Sequence, residues 1–227
     1  MKEDVHMPKV GMEPIRRSKI INSTLECICN FSLEKMSLDM VAKEAECSKG
    51  VVSYYFKNKD NLILEAFKAF LNYYKIKIDN QVKPEMTPSE MLKVVQENAL
   101  PQYYNLSDDI EPKLNVSEGD GVDAMNIPPR KKAKLFVNFF SRAMVDENLQ
   151  AVIRQVYNQD HKGIASIIYY GIKTGIFKEK DIYKAAYAIM SLYVGTSMLR
   201  VVGFKPEQID DDVDIFWDSV NSMLSKK

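Results

Sequence analysis

Residues 36–62, MSLDMVAKEAECSKGVVSYYFKNKDNL, carry two short runs of helical periodicity on either side of a few turn residues. In the first, Leu38, Val41, Ala42 and Ala45 fall on one side of a helix opened by Ser37; in the second, Val51, Val52 and Tyr55 follow a capping Ser48. The second run is not an ordinary core helix. It starts on Gly50, ends on Lys57 and Lys59, and holds Tyr54, Tyr55 and Phe56 in a row, which cannot all point inward at helical spacing. Such a segment presents a surface to a partner.

Working outward, Ile20, Ile21, Thr24, Leu25, Ile28 and Cys29 predict a preceding helix from about Ile15 to Asn30. Asn58 predicts the cap of a following helix with Leu62, Ile63, Ala66, Phe67, Phe70, Leu71 and Tyr74 on its apolar face. Two short helices about a tight turn, braced by longer ones, form the helix-turn-helix pattern, with the motif at about 37–56 and its domain at 1–80. A helix that enters the major groove needs small or polar residues at its leading turn and groups that grip phosphate at its ends. Ser48, Lys49, Gly50 and Ser53 supply the first, and Lys57 and Lys59 the second. Tyr54 and Tyr55 divide between packing and phosphate contact, and Phe56 is expected to be buried.

Pro84 and Pro88 mark a hinge, and 81–227 reads as a larger helical domain. Its helices are expected at about 89–104, 130–145, 147–174 closed by Gly175, 182–202 opened by Asp181 and closed by Gly203, and 206–224 with Pro206 at the first position. Between them, about 105–129 reads as a long loop, either a passive surface segment or a lid. No segment alternates with period two, so the fold class is all-α.

The 227 residues are 46% hydrophobic and 27% charged, which fits a globular chain with a sizeable core and not a disordered one. No apolar run approaches the roughly 18 residues of a membrane span, and the start, MKEDVHMPK, lacks a signal-peptide core; a cytoplasmic protein without a membrane partner is expected. Net charge is zero, yet Pro8 to Lys59 holds nine Lys or Arg against six Asp or Glu, a modest basic surplus where the helix-turn-helix lies. Cys27, Cys29 and Cys47 lack chelating spacing and His6 and His161 stand far apart, so buried thiols are expected, with a redox role the alternative, and neither a metal nor a cofactor is called for. There is no phosphate loop, dinucleotide fingerprint, nucleophile elbow or HExxH, so an enzyme is not expected.

The 36–62 stretch, with its alanine-containing helix, short turn, Ser-x-Gly, paired aromatics, Phe, and Lys before an acid-x-Leu, resembles the DNA-binding module of the TetR family of transcriptional repressors. The resemblance covers Met7 to Leu71, and its segments MPKVGMEPIRR and SKGVVSYYFKNKDNL are similar to the choline-responsive repressors of betaine synthesis. The resemblance implies a homodimer that represses transcription from a palindromic double-stranded operator and is released by a small-molecule effector, apolar or cationic. It places Lys49, Gly50, Ser53, Tyr54 and Tyr55 on the DNA face beside Ser48, with Ser37 and Lys59 on phosphate. Where relatives commonly have glycine in the turn, this chain has Glu46. A DNA-binding protein without an effector is the alternative.

For the larger domain, Tyr103, Tyr104, Phe139, Phe140, Tyr157, Tyr169 and Tyr170 offer ring surface with polar tips and are expected to line an effector cavity, suited to a quaternary ammonium such as choline. The stripe with Phe216, Trp217 and Val220 is expected either to form a dimer contact or to be intramolecular core.

Overall fold

The computed structural model describes residues 13–99, 115–116 and 125–225. Their helices are α1 (Glu13–Lys35), α2 (Leu38–Glu44), α3 (Lys49–Phe56), α4 (Lys59–Gln81), α5 (Pro88–Ala99), α6 (Pro129–Ala143), α7 (Glu147–Lys173), α8 (Ile182–Val201) and α9 (Asp212–Leu224). The expected all-α fold is observed. Most of the loop read at 105–129 lies outside the described residues, as do Tyr103 and Tyr104; within it β1 (Asn115–Val116) pairs antiparallel with β2 (Met125–Asn126).

The chain divides into two units, one of Met1–Tyr73 with Glu111–Leu149 and one of Tyr74–Ile110 with Gln150–Lys227. These are not the segments 1–80 and 81–227 read from the sequence. The reason is α6, which packs in the first unit as a wall of α1. Every residue of α1 from Ile20 to Ile28 is buried, including the polar Asn22, Ser23, Thr24 and Glu26. Thr24 satisfies its hydroxyl on the Ile20 carbonyl, 2.7 Å away. Glu26 is met by Lys131 of α6, whose ammonium donates to both carboxylate oxygens at 2.7 and 2.9 Å. Both side chains are almost wholly out of water, so each charge is compensated chiefly by the other, with Asn30 Nδ2 also donating to Glu26 Oε1 at 3.3 Å. Phe139 of α6 stacks on Phe67 at 4.5 Å between ring centres and lies 5.7 Å from Phe70, closing the core against α4.

The first helix runs past its expected end at Asn30 because it contains a break: Ser32 has φ 68 and ψ 163. That region belongs almost wholly to glycine and costs about 1–3 kcal/mol for other residues. Around it, the Leu33 N–H donates to Asn138 Oδ1 of α6 at 3.2 Å, the Met36 N–H to the Ser32 carbonyl, and the Lys59 ammonium to the Glu34 carbonyl at 3.0 Å.

In the second unit, Leu92, Ile164, Ile168, Phe177, Ile189, Tyr193, Phe216, Val220 and Leu224 share one buried cluster. Gly171 makes room for Phe177: a Cβ there would lie 2.1 Å from a ring carbon. The Tyr193 hydroxyl reaches the Leu92 carbonyl at 3.4 Å, and Arg200 of α8 holds Asp212 at the start of α9 through Nε and a second nitrogen, the first at 2.8 Å. The last helix therefore starts six residues later than read. Pro206 opens only a turn, closed by the Ile209 N–H on its carbonyl, and the helix is capped by Asp211, whose carboxylate accepts the Val213 N–H at 2.9 Å. The helix read at 89 instead begins at Pro88, behind a capping box in which the Thr87 N–H and hydroxyl donate to Glu90 and the Glu90 N–H donates back to the Thr87 hydroxyl.

Three helices end in the same motif, a residue with positive φ whose N–H and the next one turn back onto the last turn. At the ends of α7 and α8 that residue is glycine, Gly175 (φ 76) and Gly203 (φ 68), with Gly175 bonded to Ile172, Ile176 to Gly171, Gly203 to Arg200 and Phe204 to Leu199. At the end of α2 it is Glu46, φ 53, with its own N–H on the Lys43 carbonyl and that of Cys47 on Ala42. The Cβ that glycine lacks is strained there by about 1–2 kcal/mol. Glu46→Gly is therefore expected to raise the stability of the first unit by about 1 kcal/mol, read as a higher urea midpoint; its exposed pair with Lys19 adds little to oppose this. Lys131→Met, which strands the Glu26 carboxylate, should cost about 3–5 kcal/mol, while Glu26→Leu with Lys131→Met recovers most of it. Equal losses in the single and double variants would refute that account of the pair.

Candidate nucleic-acid interface

The two short helices owe their starts to their caps. Ser37 Oγ accepts the Met40 N–H and Ser48 Oγ the Val51 N–H, each at 3.3 Å, so both serines are engaged with backbone N–H groups while their hydroxyl protons remain to be donated. Val41, Ala42, Val52 and Phe56 turn inward and are buried. What remains outward on α3 is Ser48, Lys49, Gly50 and Tyr54, with Ser53 half-buried. A Cβ on Gly50 would meet only Ser48 Oγ, at 3.6 Å, so nothing within the chain demands a glycine there and the surface is open.

The two tyrosines take different positions. Tyr54 is 72% exposed, the most exposed ring of the first unit. Tyr55 sits edge-on to it, 5.2 Å between centres, and its covered hydroxyl has no hydrogen-bond partner among the described residues. That cover, with Glu13 adding to it, raises the Tyr55 phenol above its ordinary value. Phe56 is fully buried beneath the Arg17 guanidinium, 4.7 Å above the ring, and Arg17 is itself paired with Glu65.

The exit of α3 is a γ-turn: Lys57 has φ 62 and ψ −57, and the Asn58 N–H donates to the Phe56 carbonyl at 2.7 Å. Asn58 then caps α4, its side chain accepting the Asn61 N–H at 2.8 Å. Lys59, read as a phosphate grip, is half-buried and bonded to the Glu34 carbonyl, so its ammonium already serves α1. Lys43 and Lys57 are exposed and make no ion pair among the described residues. The lysine whose partner sequence reading missed is Lys49, which meets Asp39 of α2 at 2.8 Å. Their ten-residue separation carries no signal, since it is the turn that brings them together.

The described residues read as an effector lining fall in different units. Phe139 is a fully buried core ring of the first unit, and Phe140 packs on Phe136 in the same helix, 4.1 Å between centres. Tyr157, Tyr169 and Tyr170 belong to the second unit, where Tyr169 and Tyr170 are 52% and 42% exposed and so do not line an interior. Only Tyr157 is enclosed in part; desolvation pushes its hydroxyl up to about 12, with Asp160 adding to it. Phe216 and Val220, read as dimer contacts, are core, and Trp217 is half-buried edge-on to Phe216. Cys27 is a buried thiol, pushed up to about 11 chiefly by that burial, and Cys29 and Cys47 are half-buried thiols outside any disulfide. Among the described residues no group of three or more His, Cys, Asp or Glu is placed to hold a metal ion.

Residues 20–66 match the model of bacterial regulatory proteins of the tetR family. The transcriptional regulator BetI of Pectobacterium carotovorum is 33% identical over 91 residues, which are 39% of this chain and 47% of that protein, so the match spans about half the length of the curated relative. A transcriptional regulator from Saccharomonospora viridis in complex with choline superposes with a TM-score of 0.70 over 93% of this chain and 98% of its own at 16% identity, and AibR in complex with isovaleryl coenzyme A and operator DNA with 0.56 over 91% and 97% at 15%. At those identities the likeness shows the fold. No helix among the described residues is long and apolar enough to cross a membrane. Residues 20–66, built around the helix-turn-helix of α2 and α3, are thus a tetR-family regulatory domain, and the N-terminal segment is similar to BetI.

Proposed function

We propose that this protein is a cytoplasmic, DNA-binding transcriptional repressor that reads a palindromic operator as a homodimer and releases it on binding a small molecule. The observation that carries the reading is the outward face of α3: Ser48, Lys49, Gly50 and Tyr54 stand exposed on a helix whose other face is core, flanked by exposed Lys43 and Lys57. A helix with small and polar residues at its leading turn and cations about it is what groove reading with phosphate anchoring requires. Operator selection with the purified protein is expected to return a two-fold symmetric motif. Lys49→Ala or Ser53→Ala should change the preferred bases, whereas Lys57→Ala should weaken every duplex alike and reduce the salt slope by about one per half-site. No enriched motif would sink the reading.

The effector reading is supported by the likeness in fold to the Saccharomonospora regulator in complex with choline and to AibR in complex with isovaleryl coenzyme A. Of the second unit's described tyrosines read for the cavity, Tyr157 is the half-buried one, which supports its candidacy. Choline is the first compound to titrate onto the operator complex, since a true effector must be weakened by operator as much as it weakens operator binding.

The dimer reading moves from the α9 stripe to the outer face of α8. Tyr183, Tyr187, Met198 and Val202 are exposed at spacings of four, eleven and four residues, which align on one helical face, and Ile215 of α9 is exposed as well. Gly195 lies beside that face in the helix interior, where glycine costs roughly 1 kcal/mol against alanine, and a Cβ there would meet nothing within 4 Å. Open space over a small residue and a tyrosine 70% exposed support close approach of a second copy. Sedimentation should show a dimer at micromolar concentration and a folded monomer for Tyr187→Glu; a wild-type monomer would decide against it.

A further inference from the structure

We infer that Asp39 is a specificity-determining residue, which keeps the Lys49 ammonium on the α2–α3 seam and off the DNA phosphates. The inference rests on the DNA-binding reading above. Lys49 is the first residue of α3, where the helix dipole repels a cation, and α3 has no acidic residue in its first turn. Asp39 supplies the missing charge from α2, with Oδ2 2.8 Å from Nζ. It is at the same time the acid of the first turn of α2, so the carboxylate serves two helix starts at once. Both side chains are more than half exposed, so the pair contributes little to stability and its consequence is where it points the lysine.

That direction matters because lysine is a point charge on a flexible stem, which goes wherever the strongest anion lies. Unpaired at the leading turn of a groove-reading helix, it would swing to phosphate and add affinity for any sequence. Held by Asp39, its remaining donors stay at the turn that faces base edges, where a lysine selects the O6 and N7 acceptors of guanine. The neighbouring cations differ. Lys43 and Lys57 have no ion pair among the described residues and are free to supply the sequence-independent grip, while Lys19 is paired with Glu46 of the turn at 2.6 Å. The reading head thus separates its lysines by their partners.

The test compares affinities of the full chain for its selected operator and for a random duplex of equal length across a potassium chloride series. Asp39→Asn, which keeps the shape and removes the charge, should steepen the salt slope by about 0.9 per half-site. It should also lower the operator-to-random affinity ratio by roughly tenfold, the discrimination that one lysine–guanine pairing supplies. In a Lys49→Gln background the same change should do neither. An Asp39→Asn protein with unchanged slope and ratio overturns the inference. So does an effect of equal size in the Lys49→Gln background, since Asp39 would then act by its own repulsion of phosphate. If Asp39→Asn unfolds α2, Asp39→Glu keeps the charge: it should hold the ratio within a factor of two of wild type, and a tenfold loss would overturn the inference by itself. Failure of the wild-type protein to select any operator is a separate result, seen before any variant is made, and counts against the DNA-binding reading instead.

Discussion

The buried pair of Glu26 and Lys131 is the constraint on which the first unit depends. Neither charge can be left alone out of water, and neither helix can be moved from the other without leaving one so. The residues about it follow from that requirement. With α6 fixed on α1, Asn138 is placed to take the Leu33 N–H freed at the Ser32 break, and Phe139 is placed against Phe67 and Phe70. The polar residues at 22–26, which would be misplaced on a one-sided amphipathic helix, belong to a helix covered on all sides.

Against this fixed frame α3 is bounded by strain. The eight residues of α3 lie between Glu46 and Lys57, both with positive φ and neither a glycine. The ends of α7 and α8, with the same backbone turn as the end of α2, use glycine. Strain is thus held at both ends of α3 and at Ser32 within α1, while the ends of α7 and α8 avoid it by using glycine.

Much of this was legible because it is local. Ser37, Ser48, Asn58 and Asp181 are caps in the structure as in the sequence, since a side chain bonding an N–H two or three residues on needs no tertiary information. Gly175 and Gly203 close their helices for the same reason. What was not legible is long-range. The place of α6 in the first unit depends on an ion pair spanning 105 residues, which leaves no mark in periodicity. Pro206 satisfies the rule for a first helical residue, yet the Arg200 pair with Asp212 and the Asp211 cap set the true start. Phe216 and Ile215 are neighbours in sequence and a helix turns about 100° between them; one is core and the other exposed, so apolar content alone could not decide between a dimer contact and intramolecular core for that stripe. On α8, buried Ala186, Ile189 and Tyr193 lie opposite exposed Tyr183 and Tyr187, and a helix apolar on both sides gives no contrast to read.

The separation of Glu26 from Lys131 also has a bearing on biosynthesis. A ribosome adding about 5–20 residues each second needs several seconds to pass from one to the other. Over that interval the nascent α1 carries a carboxylate whose partner does not yet exist, so its burial has to wait for α6. The first unit, α1 included, cannot be completed until α6 has been made. Contacts at such sequence distance also slow folding, because the loop must close before the contact repays it. A transcript truncated before residue 131 would yield the whole helix-turn-helix sequence without the charge that lets its first helix stay buried.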